Sequence, residues 1–454
     1  MWLTRSALPA ALIAGFSGFL FGFDAAVISG VTPLITRPLR LDAATIGFLV
    51  GAPSLANLVS SPFVGPLADR IGRKPVLIGL AFLFLISAAF ASIAGDIASL
   101  TAARALGGVA FGCLIIAPLY ISEISPPRHR GRLVSLNQLN IMIGFSVAYA
   151  SNSLILRSGA PPLHAWHLML GVQCLPAGIL CICLFLIPES PRWLTARGRQ
   201  SEAMRSLAQL GSSGLADQSG AHPDLSPRNW TIRQQLHNLL DPRLHRMLLL
   251  GIVLAVAQQI TGVNAIYFYA PSIFEQSGIG QDAAFSQAIL IGLVNVTFSG
   301  VAILLIDRVG RKPLLLTGLA GVVLSMSLAA WGFHQVVPGS VDTANSRLIL
   351  FAILGFVASF AVSLGPVVWV LLSEIFPLRV RGLAISAVTF FNNVVSFAVQ
   401  FAFPWQLLHW GPAATLLVFA MWAIVALILL SRMLRETRGK SLEALEAELA
   451  LPVG

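Results

Sequence analysis

Leu67-Ala68-Asp69-Arg70-Ile71-Gly72-Arg73-Lys74-Pro75 returns in the second half of the chain as Leu305-Ile306-Asp307-Arg308-Val309-Gly310-Arg311-Lys312-Pro313. Each copy lies between two long apolar runs, so each reads as a basic turn joining two helices. A second pair follows in the same order: Ser122-Glu123-Ile124 with Arg130-Gly131 downstream, then Ser373-Glu374-Ile375 with Arg381-Gly382. A third pair is partial, Pro188-Glu189-Ser190-Pro191-Arg192 against Arg435-Glu436-Thr437-Arg438-Gly439. Motif pairs kept in one order describe a duplicated unit, which in a membrane protein implies two halves related by a pseudo-twofold axis along the membrane normal.

The apolar runs between these motifs make the chain a membrane protein. Of 454 residues, 56% are hydrophobic and only 11% charged, whereas a soluble globular chain carries about 25% charged residues. A span needs about 20 apolar residues. Six runs qualify before the middle of the chain: Leu8–Gly30, Ala44–Ala68, Pro75–Ala94, Leu100–Ile121, Leu136–Leu156 and Leu168–Ile187. Six follow it: Met247–Ala270, Ala288–Ile306, Leu314–Phe333, Leu348–Leu372, Leu383–Phe403 and Ala413–Leu430. The expected fold class is therefore all-α, with twelve transmembrane helices in two pseudo-symmetric six-helix bundles. The expected domains are a first bundle over residues 1–187, a cytoplasmic linker with short helices over 188–246, a second bundle over 247–433 and a cytoplasmic tail over 434–454. Within the linker, Ser201–Leu210 has helical periodicity, and Gly211–Pro227 is rich in Ser, Gly, Pro and Asp and reads as flexible. The first run is longer than the apolar core of a signal peptide and reads as the first span.

The net charge of +10 does not point to nucleic acid, because the basic residues form short clusters between spans, with no basic face or tail. With both termini cytoplasmic, the inside segments hold 24 of the 29 Lys and Arg residues, as the positive-inside rule requires. Arg37 and Arg40 in the first outer loop argue locally the other way. Cys113, Cys174, Cys181 and Cys183 lie inside apolar runs without zinc-ligand spacing and read as packing residues. There is no P-loop, metal cluster or Ser/His/Asp arrangement, so neither an enzyme nor a cofactor is expected.

Function is then sought where the spans stop being apolar. Asp24 and Arg104 are the charges well inside spans, and each costs about 2.5–3.5 kcal/mol on insertion scales. Burial favours the neutral form of a lone carboxyl, and a nearby guanidinium favours the charged form. A pair that forms and parts would bind and release a proton, with Asp24 as carrier because Arg keeps its own. A static salt bridge is the alternative. Spans 5, 7, 8 and 11 carry amides at depth: Asn137 and Gln138; Gln258, Gln259 and Asn264; Asn295; Asn392 and Asn393. An amide offers donors and an acceptor together, which is what a sugar hydroxyl needs. A lone amide is more simply interhelical glue, worth about 0.6 kcal/mol. Gly262 in span 7 and Gly365-Pro366 in span 10 weaken their helices. Irregular backbone at that depth is tolerated only against protein or a wet cavity, so both helices are expected to be discontinuous and to gate.

These features resemble the sugar-porter branch of the major facilitator superfamily over essentially the whole chain. The resemblance rests on the paired Asp-Arg-x-Gly-Arg-Lys turns; Pro188-Glu189-Ser190-Pro191-Arg192; Gln258-Gln259-Ile260-Thr261-Gly262-Val263-Asn264; Gly365-Pro366-Val367-Val368-Trp369 followed by Ser373-Glu374-Ile375-Phe376-Pro377; and Glu436-Thr437-Arg438-Gly439. Phe21-Gly22-Phe23-Asp24 followed by Val27-Ile28-Ser29-Gly30 looks like the proton-coupled members. The resemblance implies the major facilitator fold and proton–monosaccharide symport by alternating access, with facilitated uniport or a sugar sensor as alternatives. It implies proton coupling at Asp24 and Arg104. It implies sugar binding by Phe21, Gln138, Gln258, Gln259, Asn264, Asn295, Trp369 and Asn392, and gating at Gly262, Tyr267, Gly365 and Pro366. It also implies a cytoplasmic salt-bridge network that holds the halves together, made by Asp69, Arg73, Glu123, Arg130, Glu189, Asp307, Arg311, Glu374, Arg381 and Glu436. The span-4 match needs a one-residue gap before Pro118, and Asn393 stands where the family often has Trp. The partners implied are a monosaccharide, first a hexose such as glucose or galactose and second a pentose such as xylose or arabinose, a proton and the lipid bilayer, with the chain acting as a monomer in a bacterial plasma membrane.

Overall fold

The computed structural model describes residues 7–36, 38–125, 130–159, 161–211, 242–336, 343–376, 381–434 and 436. Every regular element among them is helical. The chain divides into two compact units, one formed from 1–35 with 52–228 and the other from 36–51 with 229–454.

The first unit contains α1 (Ala7–Thr36), most of α2 (Ala43–Ile71), α3 (Arg73–Ser92), α4 (Ile97–Ala110), α5 (Cys113–Ile124), α6 (Arg130–Arg157), α7 (Pro162–Gly171), α8 (Cys174–Leu186), α9 (Pro191–Ala196) and α10 (Gln200–Gln209). α1 is apolar and buried almost all round, the pattern of a helix enclosed by others. It crosses α6 at backbone contact. A Cβ on Gly22 would lie 2.0 Å from the Ile141 carbonyl oxygen, and one on Gly144 would lie 2.2 Å from that of Phe19. Without a hydrophobic drive between helices in lipid, such small-residue crossings supply the close packing. α4 opens with a capping box in which Asp96 Oδ1 accepts from the Ser99 N–H at 2.7 Å. α4 and α5 make the fourth span, interrupted at Phe111-Gly112. α7 and α8 make the sixth, interrupted at Val172-Gln173.

The second unit contains α11 (Pro242–Ile260), α12 (Val263–Phe268), α13 (Ala270–Glu275), α14 (Gln281–Val309), α15 (Arg311–His334), α16 (Thr343–Val362), α17 (Leu364–Ile375) and α18 (Arg381–Met433). Among the described residues, 11 helices are long and apolar enough to cross a membrane. The last of them, Leu383–Met433, has 51 residues. At about 1.5 Å per residue it is over twice the length a hydrocarbon core of about 30 Å requires. Gly411, at φ 76° and ψ 169°, breaks its backbone just before Pro412. It therefore supplies the eleventh and twelfth spans.

The duplication is visible in the turns. Gly72 (φ 109°, ψ 161°) alone separates α2 from α3, and Gly310 (φ 104°, ψ 161°) alone separates α14 from α15. A one-residue reversal in that region of backbone space favours glycine.

Candidate functional site

α1 and α4 bring Asp24 and Arg104 together. Arg104 Nη1 lies 2.7 Å from Asp24 Oδ2, and each side chain is 3% exposed. The same Nη1 donates to the backbone carbonyl of Asp24 at 3.1 Å. Among the described residues Asp24 Oδ2 has no aligned hydrogen-bond donor, so its contact with Arg104 Nη1 is ionic, and Arg104 Nε has no acceptor. The pair is therefore held by charge and one good bond, which leaves it less tightly made than a two-bond fork. Gly107 and Ser87 pack beside it; a Cβ on Gly107 would sit 2.7 Å from Ser87 Oγ and 3.7 Å from Asp24 Oδ1. Phe21, one turn before Asp24, meets the edge of Phe111 with ring centroids 4.7 Å apart. On α6, Asn137 is buried with its Oδ1 unbonded, and Gln138 is half-buried.

In the second unit, the amides of the seventh and eleventh spans form one net. Gln258 Nε2 donates to the Leu364 carbonyl at 2.9 Å and to that of Gly365 at 3.5 Å. Its Oε1 accepts from Asn392 Nδ2 at 3.1 Å, which also donates to the Ala255 carbonyl at 3.1 Å. Asn392 Oδ1 accepts from Gln259 Nε2 at 3.1 Å. Gln259 Oε1 accepts from Asn264 Nδ2 at 2.8 Å, which also donates to Ser396 Oγ at 2.7 Å. Gln400 Nε2 donates to the same hydroxyl at 2.7 Å, and Tyr269 donates to the Gln400 carbonyl at 3.2 Å. Ser396 and Gln400 were not singled out from the sequence. The signal was there, because 392, 396 and 400 lie on one helix face at four-residue spacing.

Gln258 Nε2, Asn392 Nδ2 and Asn264 Nδ2 each have two acceptors within 3.5 Å. Among the described residues the net leaves one hydrogen on Gln259 Nε2 and the Asn264 Oδ1 acceptor without a bond. A buried net of this kind is stiff, and its remaining donor and acceptor suit a hydroxyl. Not every expected residue joins it. Asn295 on α14 is buried, and among the described residues neither its Nδ2 nor that of Asn393 has a hydrogen-bond partner. Trp369 on α17 is 42% exposed. Tyr267 on α12 is buried.

Both expected breaks exist, one of them displaced. Gly262 (φ 83°, ψ 17°) separates α11 from α12. Its Cα faces the Phe419 ring, which a Cβ would approach to 2.5 Å. The other break falls at Ser363 (φ −118°, ψ −88°), so Gly365 and Pro366 lie inside the first turn of α17. Proline explains the displacement. Pro366 cannot donate to the Val362 carbonyl, and its ring crowds that carbonyl. The chain therefore opens at Ser363, while the Val367 N–H still bonds to the Ser363 carbonyl at 2.9 Å.

At the helix ends carrying the repeated motifs, each unit has the same device. Glu189 accepts from the backbone N–H groups of Arg73 at 3.1 Å and Lys74 at 3.2 Å, and Glu436 from those of Arg311 and Lys312, both at 3.0 Å. Arg73 Nη2 reaches Glu123 Oε1 at 2.9 Å, and Arg311 Nη2 reaches Glu374 Oε1 at 3.0 Å. Lys74 Nζ donates to the Phe185 carbonyl, and Lys312 Nζ to that of Ser431, both at 3.0 Å. Each carboxylate thus caps a helix N-terminus, where the dipole favours negative charge. Asp69 Oδ1 adds a 2.9 Å contact to Arg73 Nη1. Burial pushes the Glu189 carboxyl up, against the pull of the Ser190, Lys74 and Arg73 N–H groups and the Arg73 charge. These bonds all run inside one unit or the other. The side chains of Arg130, Asp307 and Arg381 lie outside the described residues.

Comparison with known proteins agrees with this architecture. Residues 10–449 match the family described as sugar (and other) transporter. The chain is 35% identical over 439 residues to an arabinose-proton symporter of Bacillus subtilis, covering 95% of this chain and 93% of the relative. It is 33% identical over 449 residues to the glucose transporter GlcP of Staphylococcus epidermidis, covering 96% of each. The structure of the xylose transporter XylE from E. coli in its inward open conformation superposes with a TM-score of 0.82 at 30% identity, covering 96% of this chain and 98% of that one. With the family matched across nearly its whole length, this chain belongs to the sugar porters of the major facilitator superfamily and is a multi-pass membrane transporter.

Proposed function

We propose that this protein is a proton–monosaccharide symporter that works by alternating access. The observation that carries the coupling is the Asp24–Arg104 pair, closed at 2.7 Å with both side chains 3% exposed. A dry carboxylate keeps its charge beside a guanidinium and takes a proton when parted from it. Asp24 is the proton carrier in this reading, and Arg104 is the counter-charge that expels the proton when the pair re-forms. The sugar binds to Gln258, Gln259, Asn264 and Asn392, with Gln138, Asn295, Phe21 and Trp369 completing the site. The Gly262 and Ser363 breaks let α12 and α17 move as gates, with Tyr267 on the first. The bundles over 1–187 and 247–433 are the moving halves, joined by the 188–246 linker. The charge asymmetry supports cytoplasmic termini, and the capped helix ends then face the cytoplasm. A single chain suffices.

The relatives named above as arabinose, glucose and xylose transporters support a monosaccharide substrate. A hexose such as glucose or galactose is proposed first and a pentose second. A potential of 100 mV supplies about 2.3 kcal/mol per proton, enough for roughly 50-fold accumulation at about 1.4 kcal/mol per decade. The test is a panel of labelled hexoses and pentoses in proteoliposomes, with and without an imposed proton gradient, for wild type and Asp24→Asn. The variant should keep sugar exchange and lose uphill accumulation. Accumulation equal to wild type in Asp24→Asn refutes the coupling, and a wild type that moves none of the panel refutes the substrate class.

A further inference from the structure

α15 carries none of the residues proposed to bind sugar, yet it packs directly against the Ser363 break that borders the amide net. α15 and α16 interlock glycine against serine over three successive turns. A Cβ on Gly321 would lie 2.4 Å from Ser359 Oγ, and one on Gly355 would lie 2.9 Å from Ser325 Oγ. The tightest contact is at the break itself. A Cβ on Gly318 would lie 1.8 Å from Ser363 Oγ, 2.1 Å from Ser363 Cβ and 3.0 Å from the Ser359 carbonyl oxygen. Rotating the hydroxyl away does not relieve a clash with Ser363 Cβ, so the backbone of α15 and that of the break have to move apart. Ser363 is fully buried. Its Oγ donates to the Ser359 carbonyl at 2.6 Å, which ties the residue to the last turn of α16.

What the break holds in place is the Gln258 partner. The two residues after Ser363 present the carbonyls that take Gln258 Nε2. From Gln258 the bonds run to Asn392, then Gln259, then Asn264. Resting on the sugar-binding role proposed for these amides, we infer that Gly318 and Ser363 are positioning residues for sugar binding. The Gly318 surface of α15 is the seat on which the Ser363 break rests, and that seat sets where the Leu364 and Gly365 carbonyls hold Gln258. Glycine is required at 318 to admit the Ser363 side chain, although 318 lies within an ordinary helix. Moving the seat shifts the end of the amide net without touching substrate.

The geometry makes the test a complementary exchange. Gly318→Ala adds the clashing methyl group. Ser363→Gly removes the Oγ and Cβ that it meets and leaves the Ser359 carbonyl oxygen at 3.0 Å as the remaining close neighbour. Gly300→Ala on α14 is the control, because a Cβ there meets nothing within 4 Å. In proteoliposomes, Gly318→Ala should raise the KM for sugar tenfold or more with maximal rate changed less than threefold. Adding Ser363→Gly should bring KM back to within threefold of wild type, and Gly300→Ala should leave it unchanged. The same proteins are melted in detergent: Gly318→Ala lowers the melting temperature and Ser363→Gly raises it again. If the melting cycle shows this exchange while KM does not move, the positioning role is refuted and the contact is packing alone. If neither cycle shows it, the seat is refuted as well. If wild type moves no sugar but the melting cycle holds, the sugar reading fails and the seat stands.

Discussion

Replacing Arg104 by Met strands the Asp24 carboxylate inside the first unit. The two charges lie 2.7 Å apart with each side chain 3% exposed. At an effective dielectric of about 20, unit charges at that distance attract by about 6 kcal/mol. Much of this offsets the cost of drying two ions. Removing one partner of such a pair costs about 3–5 kcal/mol, because the other stays buried without compensation. The bond from Arg104 Nη1 to the Asp24 carbonyl at 3.1 Å is lost as well. For a unit of this size, each kcal/mol corresponds to about 2–4 °C in melting temperature, so Arg104→Met should melt roughly 6–20 °C below wild type. The double variant Asp24→Asn with Arg104→Met has no stranded charge and should recover at least half of that loss. Melting can be followed by a thiol-reactive dye once the half-buried Cys174 and Cys183 are replaced by Ala, because Cys113 and Cys181 are buried. An Arg104→Met protein that melts within about 2 °C of wild type, or a double variant that melts no higher than the single, would mean that Asp24 is not left as a stranded buried charge.

Gly22→Ala should sharply reduce the monodisperse fraction on gel filtration, since its methyl group would meet the Ile141 carbonyl oxygen at 2.0 Å and overpacking costs about 1–3 kcal/mol or more. Gly178→Ala, where a Cβ meets nothing within 4 Å, should not. Asn392→Ala leaves Gln258 Oε1 and Gln259 Nε2 without partners. At about 1–3 kcal/mol for such a loss, the KM for sugar should rise about tenfold or more in a flux assay. Glu189→Ala and Glu436→Ala each remove one helix cap of the same geometry. Their melting temperatures should fall by similar amounts, a cap being worth about 0.5–2 kcal/mol.

How much of this was readable from residues alone depended on the range of the interaction. The spans were legible because lipid tolerates little but continuous apolar helix, so the ends at Ala7, Ala43 and Arg73 fall within a few residues of those expected. The repeated turns were legible because Gly72 and Gly310 have to be glycine. The partial echo of Glu189 in Glu436 turns out to be one capping geometry made twice. Breaks were harder to place. Proline acts on the carbonyl four residues back, so Gly365-Pro366 marked a discontinuity that opens at Ser363. The interruption at Val172-Gln173 obeys the same rule, since Pro176 stands four residues after Val172, whereas that at Phe111-Gly112 is marked only by its glycine. Partner choice was least legible. The residues at Gln258, Asn264 and Asn392 were identifiable as amides at depth. Their pairing order, the part played by Ser396 and Gln400, and the seat at Gly318 depend on how separate helices approach.

Under the proposed mechanism, sugar and proton move together through a step that needs Asp24. The most direct measurement adds the transported sugar to de-energised, lightly buffered proteoliposomes and follows external pH and labelled sugar in the same sample. Sugar entry should alkalinise the outside for wild type, in fixed proportion to sugar moved. Asp24→Asn should exchange sugar with no pH change. Sugar entry through the wild-type protein with no movement of protons would contradict that mechanism.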